Sequence, residues 1–268
     1  YEAATWAVNQ LQQPHDKPFL LMVGFIRPHV PWLVPQKWFD LHPRSRATPP
    51  PYLTNDFDDV PEMARRISEM PMMPTTEWAI AKDKWRDIVQ AYLACVTFAD
   101  DQIGRVLDAL DASPAGKNTI IVLWGDHGYH LGEKNRFAKH ALWERATRVP
   151  LVIVTPSGQG GQVCHQPVSL LDLYPTLLEL AGLPPNPANE GRSLKPLLEN
   201  PDREWPYPAV ITWGRNNHAV RDTRYHYMHF NDGSEELYDL VNDPNEWRNL
   251  AKDEEYACLL YTSDAADE

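Results

Sequence analysis

The stretch from Trp85 to Thr155 limits the fold more than any other. Trp85, Ile88, Val89, Tyr92, Val96, Ala99, Ile103, Val106, Leu107 and Leu110 recur at i, i+3, i+4 and i+7 spacing, with Arg86, Gln90 and Asp101 among the polar residues between them. That period predicts one long amphipathic helix. "SPAGKNT" ends it, and "IIVLW" (Ile120 to Trp124) follows as a wholly apolar run. A strand without polar alternation is one covered on both faces, as parallel strands are. A second such run, "VPLVIVT" (Val149 to Thr155), comes after an irregular, charged connection. A long helix beside two buried strands predicts an α/β fold with a mostly parallel sheet.

Around this centre the pattern is mixed. A helix is expected from Ala3 to Gln13, then, past "PHDKP", a strand in "FLLMVGF". Pro43 to Pro74 reads as a long proline-punctuated loop, and loops of that length are usually binding loops or disordered. "SLLDLYPTLLELAGLPP" predicts a helix capped by Asp172, with Pro175 in its first turn and Gly182, Pro184 and Pro185 at its end. After Pro201 the runs shorten. "PAVITWG", "HAVRD", "RYHYMHF" and "ELYDL", with "NDGS" between the last two, predict a small antiparallel β lobe; the alternation in "RYHYMHF" predicts one exposed face. "DPNEWRNLAKDEEY" is expected to be a turn and a helix.

Composition excludes some functions. With 268 residues, 43% of them hydrophobic, the chain can bury a large core. Acidic residues outnumber basic ones by 37 to 25, a formal net charge of -12. Nucleic acid is therefore not expected as a partner, because phosphate binding needs a basic face. No apolar run approaches the roughly 18 residues of a membrane span. Three cysteines, Cys95, Cys164 and Cys258, with no C-x-x-C, make a disulfide framework or structural zinc improbable. The chain opens at Tyr1, without Met and already in a helical pattern, which reads as an N-terminal truncation. The last eleven residues, "CLLYTSDAADE", read as foreign sequence.

Three places can carry chemistry. Ligands of open α/β sheets bind beyond the carboxyl ends of strands, and "IIVLW" ends in Gly125-Asp126-His127-Gly128. The glycines permit a sharp turn, so that adjacent Asp126 and His127 can face one ion. The plain alternative is a turn with a capping Asp and a surface His, and position alone leaves both open. Next come Lys134, Arg136, Lys139, His140, Arg145 and Arg148. Such a run is usually a solvated face, but this one follows the strand end directly and has Phe137 and Trp143 within it. A lysine in such a place can fix an anion as a point charge. Last, "GFIRPHVPW" places Arg27 and His29 after another strand end, in a loop stiffened by proline. His15, His42, His130, His165 and His218 have no spacing partner. H-E-x-x-H, the P-loop, G-x-G-x-x-G and G-x-S-x-G are all absent.

Taken together these segments resemble the sulfatase family. "GDHGYHLGEKNRFAKHALWERATRVPLVI" is similar to its D-H-G-x-x-x-G-E-x…K…E…R-x-P motif and "GFIRPHVPW" to its G-x-x-x-P-H segment. "VSLLDLYPTLLELAGLP" and "ELYDLVNDPNEWRNLA" are similar to two late signatures. The resemblance runs from Phe19 to about Tyr256 and is nearest to iduronate-2-sulfatase-like enzymes, which carry Asp-His where many relatives have Asp-Asn. It implies an alkaline-phosphatase-like α/β sandwich with a mostly parallel sheet and a small C-terminal antiparallel lobe. Residues 1–200 would be the C-terminal portion of the catalytic domain, 201–257 the lobe and 258–268 a non-native tail. It implies a calcium ion with Asp126 and His127 as ligands, although calcium prefers oxygen. His29 and Lys139 would contact the sulfate, and Arg27 the substrate. The nucleophile would be a hydrated formylglycine made from Cys or Ser, the substrate a sulfated saccharide or other small sulfate ester, and the location periplasmic or extracellular.

The sequence departs from the family in three ways. C/S-x-P/A-x-R is absent at all three cysteines, as are the early paired aspartates of the calcium site; in family order both precede Tyr1. Lys134 also stands where a His is common. The expectation is therefore a sulfuric-ester hydrolase of sulfated carbohydrate, present as a fragment that is inactive alone. The alternatives are a phosphodiester or phosphonate ester hydrolase of the same superfold, because fold does not settle substrate, and a non-catalytic anion-binding fragment.

Overall fold

The computed structural model describes residues 1–259. The tail expected to be foreign, 258–268, lies outside the described residues from 260 onward. The chain divides into two compact units, one made of Tyr1–Pro50 and Thr75–Ile121, the other of Pro51–Pro74 and the chain from Val122 onward.

The first unit is helical. α1 (Glu2–Leu11) buries Ala4, Ala7 and Leu11, one face at three- and four-residue spacing, and packs on the long helix α5 (Trp85–Asp111). α2 (Gln36–Asp40) also packs on α5, with Trp38 edge-on to Phe98 at 5.9 Å. His42 Nε2 meets Thr97 Oγ1 of α5 at 2.6 Å, and Arg44 pairs with Asp87 at 2.5 Å and Asp83 at 2.8 Å. α4 (Thr76–Ala81), capped by the Thr75 hydroxyl, was not foreseen from the sequence. The apolar run 18–26 forms neither helix nor strand among the described residues, and Leu20, Met22 and Ile26 are exposed. Strand propensity is not enough; a strand needs a neighbour for its backbone hydrogen bonds.

The second unit holds both sheets. β1 (Ile121–Trp124) and β2 (Leu151–Val154) form a two-stranded sheet. The mostly parallel sheet expected from the two buried runs is not seen among the described residues. The C-terminal lobe is a four-stranded antiparallel meander, β3 (Ala209–Thr212), β4 (His218–Arg221), β5 (Tyr225–His229) and β6 (Glu235–Asp239), in that order. All four expected strands are present. β5 differs from expectation: His226, Tyr227 and Met228 are all buried, so neither face is open.

Two segments cover that sheet. α3 (Glu62–Ser68) lies inside the supposed loop Pro43 to Pro74, and with Val60 and Ala64 it joins a core of Ala141, Leu142, Trp143, Ala146, Ala219, Met228, Phe230 and Tyr238. The proline-rich stretch is thus partly core. α6 (Glu144–Thr147) closes the connection between β1 and β2 against the same core. α7 (Leu173–Leu180) is capped differently from expectation: the Ser169 hydroxyl accepts from Leu171 N at 3.3 Å, while buried Asp172 accepts from Ser169 N at 2.9 Å and Arg192 N at 2.7 Å. α8 (Lys195–Glu199) packs beside α7. "DPNEWRNLAKDEEY" forms turns and a short 3-10 helix, Glu254–Tyr256, in place of the helix expected there.

Candidate anion and metal site

β1 ends at Trp124, and Gly125 N still donates to Pro150 O at 3.1 Å, so pairing with the next strand continues for one residue. Neither Gly125 nor Gly128 takes a positive φ, so the expected reason for these glycines is not the operative one. Gly128 is needed for space. Its N donates to Ala146 O at 2.7 Å, and a Cβ there would lie 2.1 Å from Arg145 O. Only glycine permits that approach of two backbones.

The turn brings Asp126 and His127 close to each other and to Lys139. Asp126 Oδ2 lies 3.5 Å from His127 Nε2, and Lys139 Nζ lies 2.7 Å from the same nitrogen. His127 Nδ1 is 2.8 Å from Gly128 O, an acceptor only, so Nδ1 carries the proton and Nε2 offers its lone pair to the ammonium. Asp126 is exposed, whereas His127 and Lys139 are half-buried. A carboxylate, an imidazole and an ammonium thus converge where β1 ends.

Lys139 is brought there by a narrow hairpin-like loop. His130 N donates to Ala138 O at 2.9 Å, Gly132 N to Arg136 O at 3.0 Å, and the Tyr129 hydroxyl to Phe137 O at 2.7 Å. Glu133 braces one side, accepting from Leu131 N at 2.7 Å and facing Arg145 Nε at 3.4 Å. At the tip Gly132, Lys134 and Asn135 have φ of 127°, 53° and 49°. Lys134 and Arg136 are buried, while His140, Arg145 and Arg148 are exposed. The cationic run is therefore not one solvated face. Burial moves His130 well below its ordinary range, with Arg136 adding to the shift, and it also lowers His140, with Lys139 and Arg136 adding. Both imidazoles are neutral at pH 7. Arg136 finds no hydrogen-bond partner for its three guanidinium nitrogens among the described residues, and burial lowers it to about 10.

Sequence reasoning missed the polar cluster behind this loop. Lys134 Nζ donates to Asp56 Oδ1 at 2.7 Å and to the Glu246 carbonyl. Glu246 Oε1 meets His226 Nδ1 at 2.7 Å and Oε2 accepts from Glu144 N at 2.9 Å. Glu236 Oε2 accepts from Trp143 Nε1 at 2.7 Å and the Tyr238 hydroxyl at 2.6 Å. No spacing rule links these residues; Lys134 and Asp56 are 78 positions apart.

Arg27 and His29 belong to the first unit and build their own turn. Arg27 donates from Nε to Leu33 O and from a terminal nitrogen to His29 O, both at 3.1 Å, and His29 Nδ1 lies 2.7 Å from Val30 O. The ring of His29 is exposed.

The chemistry of Asp126 and His127 suits part of a divalent-cation shell. Their donor atoms, 3.5 Å apart, are spaced as two neighbouring ligands would be. Calcium takes six to eight ligands, mostly oxygen, and no group of three His, Cys, Asp or Glu side chains that could hold a metal occurs among the described residues. Two ligands are a partial set.

With this geometry established, comparison with known proteins identifies the class. The family model described as "Sulfatase" matches residues 2–183, and that described as "N-sulphoglucosamine sulphohydrolase, C-terminal" matches residues 132–263. The chain belongs to the sulfatase family. It is 50% identical over 251 residues to a "Sulfatase" of Formosa agariphila, covering 94% of this chain and 50% of that protein. It is 29% identical to "Iduronate 2-sulfatase" of Mus musculus, covering 91% of this chain and 60% of that protein. Among solved structures, a 2-O GAG sulfatase matches with a TM-score of 0.75 and 27% identity over 98% of this chain and 61% of that one. A phosphonate monoester hydrolase of Agrobacterium radiobacter matches with a TM-score of 0.76 and 26% identity, over 98% and 59%. The fold is thus the alkaline-phosphatase-like fold of sulfatases, and the chain spans about half the length of the curated relatives it matches.

Proposed function

We propose that the protein hydrolyses sulfate esters of carbohydrates, with Asp126, His127 and Lys139 forming part of its sulfate and metal site. The observation that carries this is the convergence of the three side chains, with Lys139 Nζ 2.7 Å and Asp126 Oδ2 3.5 Å from His127 Nε2. Lys139 donates hydrogen bonds to a sulfuryl oxygen and offsets the charge that develops there in the transition state. Preorganised donors of this kind supply a large share of catalysis. Gly128 O fixes the His127 ring, whose Nε2 lies 2.7 Å from Lys139 Nζ; with a cation bound, that lone pair would go to the metal and the ammonium would be left to the anion. Asp126 and His127 would hold a divalent cation, calcium by family resemblance, which draws charge from the same oxygens when bound. The attacking oxygen would come from a formylglycine, for which these 268 residues contain no C/S-x-P/A-x-R motif.

The finer assignment is a 2-O-sulfatase acting on uronic acid residues of sulfated glycans, supported by the Asp-His pair and by the iduronate 2-sulfatase and 2-O GAG sulfatase relatives. A contact of His29 with the sulfate and of Arg27 with the substrate, and a periplasmic or extracellular location, rest on family resemblance. For His29, a fall in kcat for His29→Ala in the full-length protein is the test. A second reading, phosphonate monoester hydrolysis, is supported by the structural match to such an enzyme. The full-length protein should be assayed on an aryl sulfate and on an aryl phosphonate monoester. Higher kcat/KM for the sulfate is expected; preference for the phosphonate would overturn the proposal in favour of the second reading.

A further inference from the structure

We infer that Lys134 is a positioning residue, a buried anchor at the loop tip that sets where Lys139 stands at the loop base. The inference rests on the sulfatase reading of Lys139. The loop from His127 to Lys139 folds back on itself, its arms tied by His130 N to Ala138 O and Gly132 N to Arg136 O. Its open end carries His127 and Lys139 in contact; its closed end carries Lys134.

A tip of this shape does not hold itself. Lys134 and Asn135 are both in the left-handed region, φ 53° and 49°, which side-chain-bearing residues rarely adopt. Such conformations persist only where the surroundings over-determine them. Here the surroundings are the Lys134 side chain and what it enters. Its side chain is 2% exposed, and the ammonium is bonded to Asp56 and to the Glu246 carbonyl and lies 5.4 Å and 5.3 Å from the ring centres of Trp143 and Tyr238. Asp56 is itself buried. Glu246 is fixed in turn by His226 and Glu144 N. The tip is therefore pinned into the core that joins α3, α6 and the antiparallel sheet. An ammonium in water at this position would remove the tip's bonds to Asp56 and the Glu246 carbonyl.

The arrangement gives Lys134 no contact with substrate. Its effect passes through Lys139, and a displacement of about 1 Å at a catalytic group can lower rate about a hundredfold. The test uses the full-length protein and an aryl sulfate, with Lys134→Met, Asp56→Asn, the pair of them together, Lys139→Ala and Lys134→Met/Lys139→Ala. The Lys134→Met/Asp56→Asn protein leaves neither charge of that pair buried without its partner, so it serves if Lys134→Met alone does not fold. Expected is a folded Lys134→Met/Asp56→Asn protein with kcat lowered about ten- to a hundredfold. In the Lys139→Ala background, Lys134→Met should change kcat less than about twofold, because coupled residues are non-additive. Hydrogen exchange at the His130 and Gly132 amides should quicken about tenfold or more, with β3–β6 unchanged. Wild-type kcat in the folded pair variant, losses that multiply with Lys139→Ala, or unchanged exchange at those two amides would each overturn the anchor. A wild-type protein that leaves aryl sulfates intact would overturn the sulfatase reading alone, and the exchange measurement would still judge the anchor.

Discussion

Glu236 gives the sharpest test of the buried cluster. It is wholly buried beneath Trp143 and Tyr238, which both donate to Oε2, while Oε1 has no partner among the described residues. Burial pushes its carboxyl from 4.5 up to about 7, against the pull of the two donors and Lys134. The folded chain therefore keeps this proton up to about pH 7, whereas the unfolded chain releases it near 4.5. Between those values the folded state binds more protons, so stability falls as pH rises. At about 1.4 kcal/mol per unit the shift amounts to about 3 kcal/mol at most. Asp56, raised to about 6 chiefly by burial, adds a fall of the same sign at lower pH. Comparison with Glu236→Gln removes that contribution, because both proteins carry Asp56. Gln mimics the protonated acid. The variant should match wild type near pH 5 and exceed it by about 2–3 kcal/mol near pH 8. Hydrogen exchange of β5 and β6 amides against urea, at several pH values, reads the unit that holds the residue. A difference between the proteins that does not change with pH, or wild type gaining over the variant as pH rises, would refute the reasoning.

Other expectations follow from single contacts. Asp239 accepts from Arg224 at 2.7 and 3.1 Å and from Asn242 at 2.7 Å, and Arg224 leads in lowering it to about 2. Its contribution is full above about pH 4 and is lost as pH falls through about 2, and Asp239→Asn should cost about 1–2 kcal/mol at pH 7 in urea unfolding, with none of the acid sensitivity. Arg136→Met removes a buried guanidinium that has no hydrogen bond among the described residues, and should stabilise this chain by about 1–3 kcal/mol; a loss of stability would mean the charge is paired. Gly128→Ala must force a Cβ into Arg145 O, and should cost more than about 2 kcal/mol or abolish folding, read by circular dichroism. This chain, with one carboxylate and one imidazole at the proposed metal site, should bind calcium more weakly than about 10⁻⁵ M by calorimetry; tighter binding would show a more complete ligand set.

The parts of the fold that local pattern controls were legible. The period of Trp85 to Leu110 marks α5 almost to the residue, and the four short runs after Pro201 are β3 to β6. Where a distant partner decides, pattern failed. "FLLMVGF" has strand composition, but strandhood needs a neighbour that composition does not reveal. β5 alternates in sequence, yet the Glu246 side chain, bonded to His226, and the segment carrying Trp143 cover what alternation would leave open. The loop Pro43 to Pro74 is rich in proline, yet Val60 and Ala64 are core because the sheet reaches them. At the candidate site, the meeting of Asp126, His127 and Lys139 was legible because a strand end, two glycines and a following lysine are local features. Their anchor was not, since Lys134 takes its meaning from Asp56 and Glu246, far away in the chain. Gly128 was noticed for the wrong reason: the backbone it lets in, at Arg145, lies beyond any turn rule.

The most direct test of the central claim is steady-state hydrolysis of an aryl sulfate by the full-length protein and its Lys139→Ala variant. If the ammonium beside His127 stabilises the sulfuryl oxygens, kcat should fall by about a hundredfold or more, the usual effect of removing one such donor. Turnover unchanged in Lys139→Ala, with the variant folded, would contradict the assignment of this strand end as the sulfate site.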